Sequence, residues 1–119
     1  MSQAPLQTED DLQLVKAYIL LPMLLDVLER DIRALGNVKL KLGAVYIEIL
    51  RGVQDRVTAD VTLLRRQMRA RGLKIYDEQR TERHVEVRYL CRGYHHRFSM
   101  LWGLVKAELS IRLSEYLRS

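Results

Sequence analysis

Two hydrophobic rhythms divide the chain. Apolar residues at Leu12, Val15, Ile19, Met23, Val27, Leu28, Ile32 and Leu35 return every three or four positions, which predicts a helix. Thr8-Glu9-Asp10-Asp11 opens it with a capping-box pattern, and three carboxylates in one turn suit the positive end of a helix dipole. Gly36-Asn37 supplies a stop, because both residues tolerate a left-handed backbone. Pro22 falls inside, lacks an amide hydrogen and crowds the preceding turn. Either a kink or a junction of two helices at Leu21-Pro22 is therefore expected.

Val38-Lys39-Leu40-Lys41-Leu42 alternates with a period of two, as a strand does. Leu42, Tyr46, Ile49, Val53, Val57, Val61, Leu64 and Met68 step by three or four, and this longer pattern outweighs the short alternation. A helix from Val38 to about Arg71, ending at Gly72, is the expectation. It would run roughly 50 Å, beyond the ~35 Å width of a compact domain. Hence it either breaks near Gly43 or Gly52, or forms one arm of an extended antiparallel pair with the first helix. After Gly72 the period changes. Leu73 to Tyr76 reads as a short strand and Asp77 to Arg83 as a polar connector. His84 to Cys91 alternates, with Val85, Val87, Tyr89 and Cys91 on one face. A final helix is expected from about His96 to Leu117, with Phe98, Leu101, Trp102, Val105, Leu109, Leu113 and Tyr116 along one side. The fold class is mainly α (α+β): a long antiparallel helical hairpin, a two-stranded β-hairpin, and a C-terminal helix packing back.

At 119 residues, 48% hydrophobic and 29% charged, the composition is that of one globular domain over residues 1–119, with residues 1–7 expected to be disordered. Cys91 is the only cysteine, so no intramolecular disulfide forms, and a lone thiol suits a reducing cytoplasm. The start of the chain lacks the basic cluster of a signal peptide. The most apolar run, Ala17 to Leu25, falls far short of the roughly 20 residues of a membrane span. No membrane partner is expected. From Ile19 to Leu28 the first helix is apolar on nearly all sides, a composition that predicts a homo-oligomer through that helix.

Charge adds a direction. Between Arg65 and Arg97 there are ten Lys or Arg against four acids, a net of +6, while the rest of the chain carries −1. Nine of those ten are arginine, whose planar fork suits phosphate, and Tyr76, Tyr89 and Tyr94 are interleaved with them. Arg65, Arg66, Arg69, Lys74, Arg80 and Arg83, at the end of the second helix and in the basic hairpin region about 72–93, are the candidate nucleic-acid-binding residues. The expected role is that of a small cytoplasmic accessory or regulatory protein binding DNA or RNA. The alternative is an oligomeric structural or adaptor protein that meets an acidic protein partner. A helix followed by a hairpin resembles a winged helix, with Asp55 to Arg71 as the recognition helix, but Asp77, Glu78 and Glu82 at the tip would approach phosphates.

Other chemistry finds less support. Cys91, His95 and His96, with His84 nearby, are zinc-ligand types without a second cysteine pair, and His84 and Cys91 point to opposite faces of a strand. Cys91 as a nucleophile with His95 as base lacks a third, orienting group. Asp77, Glu86 and Arg88 resemble a nuclease carboxylate cluster only loosely, because arginine does not give up its proton to act as a base. No glycine-rich phosphate loop is present. No enzyme activity, catalytic residue, metal or cofactor is expected.

Overall fold

The Thr8 hydroxyl accepts the Asp11 N–H at 3.1 Å, and the Thr8 N–H donates to the Asp11 carboxylate at 3.0 Å, closing the capping box that the sequence predicts. From there α1 runs unbroken over Glu9–Gly36, in a computed structural model that describes residues 7–119. Pro22 lies in its interior, so the reading of two helices meeting at Leu21-Pro22 does not hold. The stop is also made differently: Asn37 sits at φ −97°, its N–H donates to the Ala34 carbonyl and that of Val38 to the Leu35 carbonyl, with no left-handed residue.

Helix α2 spans Gly43–Ala70, so of the expected breaks the one at Gly43 is used. Val38 to Leu42 is neither strand nor helix but an exposed link between the two helices. At 28 residues, α2 is about 42 Å long and lies along α1 for most of that length. Gly72 turns the chain at φ +68°, where a Cβ would meet the Arg92 side chain at 3.0 Å. Strands β1 (Leu73–Arg80), β2 (His84–Cys91) and β3 (Tyr94–Leu101) then form an antiparallel sheet in the order β1-β2-β3. Helix α3 follows over Trp102–Arg118.

The mainly helical α+β fold of the periodicity argument stands, with two additions to its sheet. First, β1 is twice the expected length, and Tyr76 is the extra residue of a bulge between the pairs Ile75↔Tyr89 and Asp77↔Arg88. The connector shrinks to Thr81-Glu82-Arg83. Second, Tyr94 to Leu101 is a strand where the start of the last helix was expected. Arg92 and Gly93, at φ 51° and 87°, form a two-residue turn of the kind whose twist matches a hairpin. Trp102, the first residue of α3, is tied to that connector: its backbone N–H donates to the Arg83 carbonyl and its indole to the Thr81 carbonyl.

Two hydrophobic clusters sit end to end. Val15, Ile19, Leu20 and Met23 pack on Val85, Val87, Tyr89 and Cys91 of the sheet, with Met68, Met100 and Val105. Leu21, Leu24 and Leu28 pack on Val53 and Val57, with Leu109, Leu113 and Tyr116 from α3. The molecule is accordingly long, 66 × 30 × 20 Å, and its radius of gyration of 16.8 Å exceeds the roughly 13.5 Å of a compact chain this size. Most of the apolar belt of α1 is consumed by these two cores: Ile19, Leu20, Leu21, Met23, Leu24 and Leu28 are buried within the chain, while Val27 is 41% exposed. Much of the surface that suggested an oligomer through the first helix is therefore covered internally. Met1 to Leu6 lie outside the described residues, whereas Gln7, expected to be disordered with them, accepts a hydrogen bond from the Tyr89 hydroxyl.

Candidate nucleic-acid interface

The last turns of α2 run past the open edge of β1, and this brings three of the six candidate residues together. Arg65, Arg69 and Lys74 line one cleft of about 620 Å³ with Tyr18, Met68, Ile75 and Leu90. Its floor is apolar because Met68 and Leu73 belong to the sheet-side core; its rim is basic because the helix stripe Leu64 and Met68 faces inward and turns the arginines outward. Arg65 is held in place by its Nε–H, which donates to the Tyr18 hydroxyl at 3.1 Å. Arg66 is exposed on the same helix but outside the cleft.

Arg80 and Arg83 lie elsewhere. Arg80 lies six positions beyond Lys74 on β1, about 20 Å along an extended strand. Arg80 is paired with Glu78 at 2.8 Å and edges a different groove of about 530 Å³, between α1 and α3. Arg80 and Arg83 therefore do not join Arg65 and Arg69 in one cleft, because the antiparallel hairpin carries its connector away from the end of α2.

What the cleft does adjoin is the outer face of the sheet. The inner face of β2 is buried through Val85, Val87, Tyr89 and Cys91, so its alternate residues and their partners look outward. Lys74 pairs with Leu90 and Leu90 with His95; Asp77 pairs with Arg88 and Arg88 with Arg97. The bulge places Tyr76 on this face, where its hydroxyl shares a 2.9 Å hydrogen bond with His95 Nδ1 and the two rings meet edge to face. Tyr76, Arg88, His95 and Arg97 border a shallow basin of about 330 Å³ with His96. Asp77 and Glu86 are acids of this face, Glu86 lying within 3.7 Å of Arg88 and 3.9 Å of Arg97. Arg88, Arg97, Tyr76 and His95 thus join the candidate surface, beyond the six residues that the sequence singles out. The signal was available in the alternation of His96, Phe98 and Met100 against His95, Arg97 and Ser99, once Arg92-Gly93 is read as a hairpin turn.

Behind the cleft lies a buried ionic knot. Asp11 is 1% exposed, and its carboxylate accepts from Arg92 at 2.7 Å and Arg71 at 3.3 Å. Arg92 first, then the Thr8 N–H and Arg71, hold the carboxyl far below the usual carboxylate range against the opposing effect of burial. Cys91 Sγ lies 3.9 Å from Asp11, and burial together with that carboxylate pushes the thiol up, away from the thiolate form a nucleophile requires. Cys91 faces the core and His95 the solvent, so the two do not form a dyad. His84 and Cys91 occupy opposite ends and opposite faces of β2. Among the described residues, no group of three or more His, Cys, Asp or Glu is placed to hold a metal ion, and no helix is long and apolar enough to cross a membrane. Asp77 faces Arg88, and Glu86 lies beside two arginines, an arrangement without a free carboxylate pair.

No curated protein and no solved structure matches this chain. A family model described as YhjD protein does match, over residues 6–119. That range includes every helix and strand described above, and the chain belongs to the YhjD protein family.

Proposed function

We propose that the chain binds single-stranded nucleic acid, DNA or RNA, along the basic cleft and the outer face of its sheet. In this reading it is a non-enzymatic accessory or regulatory protein of the cytoplasm. The observation that carries the reading is the continuity of the two surfaces: Arg65, Arg69 and Lys74 share one cleft, and Lys74 leads through Leu90 and His95 onto the face of Tyr76, Arg88 and Arg97. A strand laid along this path meets guanidinium forks at its phosphates. It also meets a tyrosine ring and arginine planes on which unpaired bases stack. The surface is open and broad, so it favours an unpaired strand whose bases splay over a closed duplex groove. Arg80 and Arg83 stand outside this path.

Fluorescence anisotropy with labelled single- and double-stranded DNA and RNA tests the reading. Single strands should bind more tightly than duplexes, and log affinity should fall linearly with log salt. Arg65→Ala, Arg69→Ala and Lys74→Ala should each weaken binding across sequences and flatten the salt slope by about one unit. Tyr76→Ala should cost about 1–3 kcal/mol. Arg80→Ala and Arg83→Ala should bind as the unaltered chain does. Absence of affinity for every oligonucleotide at low salt, or full binding by the Arg65 and Arg69 variants together, would contradict the reading.

A further inference from the structure

The face of α2 that meets α3 continues beyond it. Arg56 donates to the Tyr116 carbonyl at 2.6 Å and to the Ser119 hydroxyl, and Asp60 accepts from the Tyr116 hydroxyl, so the last turn of α3 rests on this part of α2. Steps of seven residues return to nearly the same face of a helix. One such step leads from Arg56 to Ile49 and then Leu42; another leads from Asp60 through buried Val53 to Tyr46. Leu42, Val45, Tyr46 and Ile49 therefore continue the contact stripe of α2 toward its N-terminus, yet they are 45–56% exposed. Val38 and Leu40, in the link before α2, add to the same end at 56% and 41%. Six large apolar side chains, each about half exposed, leave on the order of 500 Å² of apolar surface, the size at which an exposed patch marks a contact site.

We infer that this patch is the interface of a two-fold homodimer, in which the α1–α2 tips of two copies pack against each other in antiparallel fashion. Two properties point to a second copy as the occupant. Two such patches with their polar rims approach the roughly 1,200–1,600 Å² buried in a stable pair. The charges are also self-complementary. Lys39 and Lys41 lie at one end of the patch, while Glu48 and Asp55, seven residues apart, form one edge of α2; all four are exposed and unpaired among the described residues. A two-fold pairing of the hairpin tips sets the basic link of one copy against the acidic edge of α2 of the other. Such an interface is isologous and closes on itself. It lies about 24 Å along α2 from Arg65, so it leaves the basic cleft open and stands independently of the proposed function.

Light scattering on the eluting protein at high micromolar concentration should report about 28 kDa, twice the 14.0 kDa of the chain. Ile49→Asp and Val45→Asp should each give a 14.0 kDa species with unchanged far-ultraviolet circular dichroism, because both positions are solvent-facing within one copy. Leu63→Asp and Leu104→Asp, also exposed but outside the patch, should remain dimeric. Tyr46→Cys should form an intermolecular disulfide under mild oxidation, since residues beside a two-fold axis face their own copies. A monomer at that concentration, or a dimer that survives Ile49→Asp, would overturn the inference.

Discussion

Asp11 caps a helix and pairs with two arginines through a single carboxylate. The capping half was legible in Thr8-Glu9-Asp10-Asp11, because a cap is a local pattern. The ionic half was not, because Arg71 and Arg92 are distant in sequence and meet Asp11 only when the end of α2 and the β2–β3 turn converge on the start of α1. Asp11→Asn keeps the shape but leaves the two guanidinium groups facing each other. Both retain some solvent, so the loss should be about 2 kcal/mol in urea unfolding, below the range for a fully buried pair. The folded-state pKa of Asp11 is depressed, so its contribution is fully present above the unfolded value near 4 and is lost as pH falls through the folded one. The difference between Asp11→Asn and the unaltered chain should hold steady from pH 8 to about pH 5 and shrink below about pH 4. Arg92 also sits at φ 51°, a conformation that costs a side-chain-bearing residue about 1 kcal/mol. Arg92→Gly should therefore unfold at higher urea than Arg92→Ala, although both lose the ion pair.

Among the elements, periodicity placed α1, most of α2 and the buried face of β2, because each has one apolar side against a core. It lost the second half of β1, where Asp77 to Arg80 are polar on both faces, as suits an edge strand. It lost β3 because Phe98, Leu101, Trp102 and Val105 also fit a helical spacing, and because Arg-Gly is a rarer turn than Asn-Gly or Asp-Gly. Pro22 marks the seam of α1: Ile19, Leu20 and Met23 belong to the sheet-side core, Leu21, Leu24 and Leu28 to the helical one. A proline there removes the hydrogen bond to the Tyr18 carbonyl. Pro22→Ala restores a donor and should raise the melting temperature by several degrees, toward the limit set by the roughly 3 kcal/mol helix penalty of proline. Unchanged or lowered stability would mean that the packing at the seam is fitted to the proline.

At the scale of the whole molecule, the arginine-rich cleft and the apolar patch of the hairpin tip lie about 24 Å apart along α2, in a body 66 Å long. Composition located the arginine-rich stretch but not its geometry, since sequence proximity joined Arg80 and Arg83 to a cluster from which an eight-residue strand carries them away. The greasy middle of α1 suggested an oligomer, but two cores enclose most of it, and a contiguous exposed apolar patch lies instead at the end of the helical hairpin. The proposed function and the proposed dimer thus use different parts of the molecule. The most direct test of the central claim is an amide chemical-shift titration of the isotope-labelled chain with a short single-stranded oligonucleotide. Shifts should concentrate in residues 65–76, 88–90 and 95–97, with residues 42–49 and 80–83 unmoved. Shifts centred on the connector 80–83, or no shifts at low salt, would contradict that claim.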